Sequence, residues 1–429
     1  CGSRLAPHVT GPMSTHQLLA LIVFVATYAL AITRVVRIAY VSVAAAGLLV
    51  LLGIISPREV VTHALKWDVL GVYWGFMMVS IAFMDSGVPV LLAERILRAA
   101  HTERHALFYL AAATAGLSVW MENVGVVLMM APIALEISRR LGSSLFPYMV
   151  TVGIASNVVT TVTMVADPPT ILLAVETGMR FKDFYWFLGR PGLGTLTVAA
   201  VAVALLTLLL QFRHMTRRID LPLTAPQVSW GATVLFAVAV AVLAVGHEVG
   251  LRPGLVGVAA GLAALAVNRA RARAMLTEFD WHSFAFIMGI FVVVYAMQAT
   301  GLLRALATTL HAAGLRSPGL ALTAMVWTAV AASSFVDNVP YTVLMIPVAQ
   351  DLARLVNMSP WPLLYGMLVG TGSGGNITPV GATANVFACG FLEKHGYRIQ
   401  LGPYLRISVP FTVAAVATAH VLLYAFWVR

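Results

Sequence analysis

Long apolar runs without charged residues constrain this chain of 429 residues more than any other feature. A helix needs about 20 mostly apolar residues to cross a bilayer. Uncharged runs near or above that length lie at residues 14–33, 38–57, 141–166, 192–212, 221–246, 281–303 and 407–428. Hydrophobic residues make up 60% of the chain and charged residues 10%, which is unusual for a soluble domain. The sequence therefore predicts a protein with many membrane-spanning helices.

The net charge of +10 does not indicate a nucleic-acid partner. Lys and Arg stand in short clusters between the apolar runs, such as RVVR (34–37), RHMTRR (213–218) and RARAR (269–273). This distribution is typical of signals that orient a membrane protein, with the basic loops inside. The clusters predict an integral protein of a bacterial or archaeal cytoplasmic membrane, with the N-terminus outside and no bound nucleic acid.

Matching segments recur in the two halves of the chain. KWDVLGVYWGFMMVSIAFMDSG (66–87) matches DWHSFAFIMGIFVVVYAMQATG (280–301) at an offset of 214. MENVGVVLMMAP (121–132) matches VDNVPYTVLMIP (336–347) at an offset of 215, and the same offset relates 157–170 to 372–385. A sustained offset predicts an internal repeat, as in many secondary transporters.

The repeat defines the expected organisation of an all-α, polytopic membrane protein. We expect about ten transmembrane helices plus two re-entrant helical hairpins, with broken helices at the bilayer midplane. If each hairpin returns to its own side, each half crosses the membrane five times and the two halves are inverted. Two full spans in place of each hairpin would put the loops on the same sides, so loop charge leaves that alternative open. The expected segments are a leader or remnant (1–13), a first repeat (14–213) with hairpin 106–137 and broken helix 146–178, a linker (214–228), and a second repeat (229–429) with hairpin 319–350 and broken helix 361–393.

Four polar interruptions lie within the apolar segments. WMENVG (120–125) and FVDNVP (335–340) place an acid and an Asn before a new apolar run, so we expect the Asn to cap the second hairpin arm. The other two interruptions break helices, and the residues expected to do so are Pro168, Pro169, Gly374, Gly375, Pro379 and Gly381. Non-helical backbone at membrane depth is stable only where protein or a water-filled cavity covers it. We expect the four interruptions to meet at one midplane site.

Carboxylates in these segments predict an ion-binding or proton-binding site. A charged group at the bilayer centre costs about 2.5 to 3.5 kcal/mol even on insertion scales. The alternative is that the acids only cap helices and pair with buried donors. The residues predicted to bind the substrate or ion are Glu122, Asn123, Asn157, Thr161, Thr163, Asp167, Asp337, Asn338, Asn376, Thr378, Thr383 and Asn385.

Signals of other functional classes are weak. The eleven histidines are scattered without metal-ligand spacing, and GSGGN (372–376) lacks the strand and the lysine of a phosphate-binding loop. No nucleophile with an adjacent base is evident. We therefore expect no enzyme activity, no catalytic residue, no metal site and no cofactor apart from a proton or sodium as coupling ion.

At these residues the chain resembles the ion transporter superfamily, in the branch of arsenite permeases, NhaD-type sodium/proton antiporters and pink-eyed-dilution permeases. MENVGVVLMMAPIALEISRRLG (121–142) and ASNVVTTVTMVADPPTILLA (155–174) are similar to the first hairpin and broken helix of that family. FVDNVPYTVLMIPV (335–348) and GGNITPVGATANVFACGFLEKHGY (374–397) resemble the second pair. The chain departs from the family at residues 158–160, where paired glycines are usual, and at Thr170, where Asn is usual.

The resemblance implies a scaffold of outer spans, a mobile transport unit of hairpins and broken helices, elevator-like alternating access, and a homodimer in the bilayer. Proton-coupled efflux of arsenite or antimonite is the leading hypothesis, because Asn and Thr can bind neutral arsenous acid while an acid carries the proton. A pump of that kind would also engage an ATPase subunit. Sodium/proton antiport is the alternative. The carboxylates disfavour an anion carrier of the dicarboxylate type, and the broken repeats disfavour a channel.

Overall fold

The computed structural model describes residues 13–33, 37–218, 228–246, 248, 250–335 and 338–428. The predicted leader (1–13) lies outside these residues except for Met13, and residues 219–227 of the predicted linker also lie outside them. Helices account for 77% of the chain, as the all-α prediction requires.

The helices follow one another in the same order in the two halves. Those of the first half are α1 (Thr15–Thr33), α2 (Ile38–Leu51), α3 (Pro57–Glu59, continued by a π-helical turn at Val60–Ala64), α4 (Trp67–Asp85), α5 (Val88–Leu97), α6 (Glu103–Ser118), α7 (Asn123–Leu141), α8 (Leu145–Asn157), α9 (Pro168–Thr177) and α10 (Leu193–Gln211). Those of the second are α11 (Trp230–Gly246), α12 (Pro253–Val267), α13 (Ala272–Glu278), α14 (Trp281–Ala299), α15 (Leu302–Ala312), α16 (Pro318–Ser333), α17 (Asn338–Leu355), α18 (Trp361–Gly374), α19 (Thr383–Lys394) and α20 (Leu401–Leu423, then a π-helical turn at Tyr424–Val428).

A short connection between α9 and α10 contains a 3-10 helix and two short strands. A 3-10 helix covers Phe181–Phe184, and the two-residue strands β1 (Trp186–Phe187) and β2 (Arg190–Pro191) pair antiparallel. Gly189, between the strands, has a φ of 76°, a conformation that glycine adopts without a steric penalty.

Four described helical segments are long and apolar enough to cross a membrane. They are Trp67–Asp85, Leu193–Gln211, Trp281–Ala299 and Leu401–Val428. Shorter apolar helices cover Thr15–Leu30, Ile38–Leu51, Trp230–Gly246, Pro253–Val267 and Pro318–Ser333. These segments overlap six of the seven apolar runs from which the sequence predicts a membrane protein, and the run at 141–166 instead forms α8 and the break that follows it.

The short helices α5 and α15 are not predicted by the sequence analysis. Each follows a glycine in the left-handed conformation, Gly87 (φ 71°) after α4 and Gly301 (φ 79°) after α14. A glycine in this conformation ends a helix and redirects the chain. Helices α4 and α14 therefore do not continue into α5 and α15 as single spans, because the backbone turns at the matched glycines.

Close contacts between glycines join the two halves. Helix α4 packs along α12, and a Cβ atom added to Gly75 would lie 1.8 Å from the carbonyl oxygen of Gly257. Helix α14 packs along α2, where a Cβ atom on Gly289 would lie 2.5 Å from Ser42 Oγ. Gly75 and Gly289 are also matched in sequence at the offset of 214. The third long helix of each half therefore packs on the second helix of the other half.

The polar interruptions separate the helices that surround the centre of the molecule. Helices α6 and α7 form the first hairpin, α16 and α17 form the second, and the helix breaks cover residues 158–167 and 375–382. Helix α7 packs on α19, and α17 packs on α9. Each hairpin thus contacts the broken helix of the other half, which brings the four interruptions to the same region.

Replacing Gly75 with Ala should destabilise the protein by about 1 to 3 kcal/mol, because the added methyl group clashes with backbone that has no room to move. The matched control is Gly116→Ala in α6, where a Cβ atom meets nothing within 4 Å and helix propensity improves by about 0.5 to 1 kcal/mol. Thermal unfolding in detergent, followed by size-exclusion chromatography, measures both. Equal melting temperatures for the two variants would contradict the close crossing of α4 and α12.

Candidate functional site

The first hairpin turns at Glu122, which occupies the N-cap position of α7. Glu122 Oε2 accepts a hydrogen bond of 2.8 Å from the backbone N–H of Gly125. The prediction that Asn123 caps this arm is therefore wrong. The helix begins one residue earlier than expected, so the acid takes the capping role and the Asn side chain is available for other contacts.

The second hairpin resumes at Asn338, the first residue of α17. Asn338 Oδ1 lies 2.6 Å from Ser333 Oγ, and the same hydroxyl lies 2.7 Å from the carbonyl oxygen of Thr371. These contacts connect the hairpin turn to α18. Asp337, predicted to bind the ion at this turn, lies outside the described residues, so its role stays a prediction.

A buried amide network connects the first hairpin to both helix breaks. Asn157 Nδ2 lies 3.0 Å from Asn376 Oδ1 and 3.3 Å from Asn385 Oδ1, while Asn157 Oδ1 accepts a bond from Asn123 Nδ2 at 3.3 Å. Asn157, Asn376 and Asn385 are at most 2% exposed. Because an unpaired polar group is costly in such a place, these amides hold the two breaks in one arrangement.

Backbone carbonyl groups complete the network. Asn376 Nδ2 donates to the carbonyl oxygen of Ile154 in α8 (3.0 Å), and Asn385 Nδ2 donates to that of Gly375 in the second break (3.0 Å). Around Gly375 the chain passes so closely that a Cβ atom would lie 3.0 Å from the carbonyl oxygen of Gly381. The glycines predicted to break this helix thus let the two ends of the break approach each other.

Asp167 ends the first break, directly before the Pro168–Pro169 pair that begins α9. It occupies the N-cap position, but its carboxylate makes no capping bond to the helix. Its carbonyl oxygen instead accepts from the backbone N–H (3.1 Å) and the hydroxyl (2.7 Å) of Thr170. The Thr at the position where the family usually has Asn therefore supports the start of α9.

Both acids line a small chamber of about 80 Å³, the central chamber, where the hairpin turns and helix breaks meet. Its lining residues are Glu122, Asn123, Val124, Asn157, Asp167, Asn338, Gly381, Ala382, Thr383 and Ala384. The structure thus brings together six of the twelve predicted binding residues, and two more, Asn376 and Asn385, support them through Asn157.

A larger cavity of about 370 Å³, the main cavity, adjoins the central chamber and shares Glu122, Asn123, Val124, Asp167 and Thr383 with it. Helices α4 and α14 both contribute residues to its walls. Its other lining residues are Tyr73, Phe76, Met77, Ser80, Leu128, Val165, Ala166, Pro168, Ile171, Glu278, Asp280, Ser283, Phe286, Ile287, Val339 and Phe387. This lining contains four acidic residues and, among the residues that the structure describes, no Lys or Arg.

Three predicted binding residues lie away from both cavities. Thr161 Oγ1 lies 2.8 Å from Thr197 Oγ1 of α10. Thr163 Oγ1 donates to the carbonyl oxygen of Val119 (2.7 Å), and Thr378 Oγ1 donates to that of Ser334 (2.6 Å). Thr163 and Thr378 are 215 positions apart, and so are their partners Val119 and Ser334. These hydroxyls fasten each break to the first arm of its own hairpin.

Several polar residues of the main cavity are not among the predicted binding residues, including Ser80, Glu278, Asp280 and Ser283. Asp280 stands opposite Lys66 in the repeat, but it precedes an apolar run instead of interrupting one, so its position does not mark it as functional. Arg271 donates to both Asp85 and the cavity-lining Glu278 at 2.7 Å. Asp85, at the end of α4, therefore has a cationic partner.

Comparisons with known proteins identify the family. The model of the CitMHS family, described as a citrate transporter, matches residues 28–370. The chain belongs to the CitMHS family. This family is part of the ion transporter superfamily, which confirms the resemblance seen in the sequence. The protein is accordingly a transporter and not an enzyme.

Relatives extend over nearly the whole chain. A 46 kDa membrane protein of Mycobacterium leprae is 28% identical over 96% of this chain and 99% of its own length. An uncharacterized transporter of Synechocystis is 25% identical over 96% of this chain and 97% of its own length. The human P protein is 22% identical over 95% of this chain, which matches 60% of that longer protein.

Two solved transporters share the fold. The crystal structure of YdaH from Alcanivorax borkumensis gives a TM-score of 0.53 at 17% identity and covers 96% of this chain and 97% of YdaH. MtrF from Neisseria gonorrhoeae, described within a class of antimetabolite efflux pumps, gives a TM-score of 0.55 at 11% identity, covering 98% of this chain and 96% of MtrF. Together with the apolar helices, these matches agree with an integral membrane protein.

Thr383→Val should weaken substrate affinity about tenfold or more, because it removes a hydroxyl that lines both cavities. Thr161→Val is the matched control, since the same isosteric change removes a hydroxyl bonded to α10 instead. It should lower stability by about 1 kcal/mol and leave affinity unchanged. Uptake kinetics in vesicles, normalised to the amount of folded protein, measure both. Equal losses of affinity would show that the central chamber is not the binding site.

Proposed function

We propose that this protein is a sodium/proton antiporter, a secondary active transporter that exchanges Na⁺ for protons at Glu122 and Asp167. The observation that supports this proposal is that two carboxylates and several amide groups line the same chamber of about 80 Å³. Sodium is a hard cation that prefers oxygen ligands, and a water molecule occupies about 30 Å³ of liquid. The chamber has room for one ion with a small number of waters.

Exchange follows from the chemistry of two neighbouring acids. Like charges in one site disfavour double ionisation, so the empty pair retains a proton more readily than either acid alone. One bound Na⁺ displaces that proton and takes over its positive charge, so the net charge of the pair is the same before and after exchange. Glu122 and Asp167 thus bind either a cation or protons, and each occupant leaves when the other arrives. We assign no role to Asp337 in this cycle beyond the prediction made from sequence.

The arrangement of the helices supports alternating access by inverted repeats. Lys66, directly before α4, and Gln298, near the end of α14, line the same cavity. Ser80, in the second half of α4, and Ser283, near the start of α14, both line the main cavity. The matched helices α4 and α14 therefore run in opposite directions. In this proposal α2, α4, α12 and α14 belong to the scaffold, and the hairpins with the broken helices form the unit that moves in an elevator-like cycle.

The family description names citrate, and the charges that line the main cavity affect whether citrate can bind there. Four carboxylates and no described Lys or Arg line the main cavity, so a free citrate anion would meet only like charge. Citrate could enter only with its own charge neutralised by protons or a cation. Neutral arsenous acid is the second candidate, because Ser80, Ser283 and Thr383 offer hydroxyl groups to it in a cavity of about 370 Å³.

The test uses purified protein in proteoliposomes that contain a pH-sensitive dye. Under this proposal, an inward Na⁺ gradient drives protons out of the lumen, while equal gradients of K⁺, arsenite and citrate do not. Proton movement with arsenite but not Na⁺ would favour arsenite efflux. Proton movement or accumulation only with citrate would overturn the proposal in favour of an anion carrier.

Glu122→Gln and Asp167→Asn should each reduce Na⁺-driven proton flux at least tenfold, since each removes a negative charge from the chamber without changing side-chain size. Gln at position 122 still offers an oxygen to the N–H of Gly125, so the hairpin turn stays capped. The control is Asp351→Asn, which breaks an ion pair with Arg354 inside α17 and should retain the parental flux. Flux persisting in both site variants would exclude these acids as the exchange site.

Competition between Na⁺ and protons also makes the apparent affinity for Na⁺ depend on pH. Because Na⁺ binds only the ionised form, its apparent affinity should fall about tenfold for each pH unit below the pKa of the competing acid. Measuring the half-saturating Na⁺ concentration between pH 6 and pH 9 tests this. A half-saturating concentration that does not change with pH would contradict direct competition between Na⁺ and protons.

A further inference from the structure

We propose that a second cavity, of about 70 Å³, is the closed form of another access route to the central chamber, and that the ion pair between Lys66 and Glu176 latches it shut. This inference rests on the proposed transport function. It assigns to the ion pair a role in choosing the side of the membrane to which the site opens.

The second cavity is related to the main cavity by the internal repeat. Five of its lining residues have their repeat partners in the lining of the main cavity. Three pairs are 214 positions apart and two are 215 apart: Lys66 with Asp280, Met77 with Phe291, Ser80 with Val294, Leu128 with Val343, and Leu172 with Phe387. Equivalent surfaces of the two halves therefore line both cavities, although the main cavity is wide and the second cavity is narrow.

Packing around the second hairpin explains why the second cavity is narrow. Helix α17 packs along both α14 and α15, whereas α5 packs on α6. Tyr28 of α1 also donates a hydrogen bond of 2.7 Å to the carbonyl oxygen of Pro340 in the first turn of α17. The repeat partners of these two residues are Leu243 and Gly125, which cannot form the same side-chain bond. The second hairpin is thus fastened to outer helices, while the first hairpin faces the main cavity.

The ion pair joins the two units across the narrow cavity. Lys66 stands at the N-cap position of α4, and its Nζ lies 3.0 Å from Glu176 Oε1 in the last turn of α9. Both side chains are about one-third exposed. Opening the second cavity requires these residues to separate, because one belongs to the scaffold and the other to a broken helix.

Among the described residues, the main cavity has no ion pair at the positions that match Lys66 and Glu176. The partner of Lys66 is Asp280, and the residue matched to Glu176 is Phe391, so these two positions do not carry opposite charges. The ion pairs of Arg271 with Asp85 and Glu278 do not involve the hairpins or the broken helices. Asp280 instead accepts a bond of 3.0 Å from the backbone N–H of Ser283 at the start of its own helix. The sequence difference between the halves therefore favours opening on the main-cavity side in the absence of substrate.

Cysteine accessibility tests this inference without any substrate. In a background with Cys1→Ser and Cys389→Ser, Leu128→Cys reports on the main cavity and Val343→Cys, its repeat partner, reports on the second. Leu128 is 49% exposed and Val343 is 9% exposed, so we expect a membrane-impermeant thiol reagent to label Leu128→Cys rapidly and Val343→Cys slowly. Adding Glu176→Gln or Lys66→Gln should raise the Val343→Cys labelling rate at least about threefold and lower that of Leu128→Cys, as expected for losing a partly exposed ion pair.

Two controls separate the latch from general destabilisation. Arg354→Gln breaks an ion pair within α17 and should leave both labelling rates unchanged. The double variant Lys66→Glu/Glu176→Lys restores opposite charges and should restore slow labelling of Val343→Cys. Unchanged labelling of Val343→Cys in both single variants would overturn the latch. Because labelling requires no Na⁺, that outcome differs from a failure of the exchange assay, which would overturn the proposed function alone.

Discussion

The candidate site depends on the hydrogen bonds made by the amide group of Asn157. Two helices are broken inside an apolar bundle, and each break exposes backbone groups that apolar neighbours cannot satisfy. Asn157 binds Asn123 in the first hairpin, Asn376 in the second break and Asn385 at the start of α19. Through these bonds one side chain fixes three segments that are distant in sequence, so the central chamber has defined walls.

The two halves share one frame but differ in chemistry. The glycine contacts that join α4 to α12 and α14 to α2 occupy matched positions, as do the threonine bonds that hold each break to its hairpin. The charged residues do not follow this symmetry, since Asp167 is matched by Ala382 and Lys66 by Asp280. Symmetric packing with asymmetric charge gives a transporter two related conformations of unequal stability, and the proposed direction of opening follows from that inequality.

Sequence predicted the features that depend on local composition. The hairpins, both breaks and the convergence of Glu122, Asp167 and Asn157 follow from polar residues in apolar runs and from the repeat. The positions of Thr161, Thr163 and Thr378 could not be predicted, because a threonine near a break can face either the cavity or a neighbouring carbonyl group. The capping role of Glu122 in place of Asn123 depends on a shift of one residue, which composition does not determine. Asp280 and Glu278 reach the main cavity only through the packing of α14 beside α4.

If Glu122 and Asp167 form one site where Na⁺ and protons compete, Na⁺ binding must release protons from the protein, and this release can be measured. Purified protein in weakly buffered detergent solution near pH 7.5 is mixed with NaCl or, as a reference, choline chloride while the pH is recorded. We predict acidification with NaCl alone, and none in the double variant Glu122→Gln/Asp167→Asn. Acidification that persists in that variant, or Na⁺ binding with no proton release by the parental protein, would contradict it.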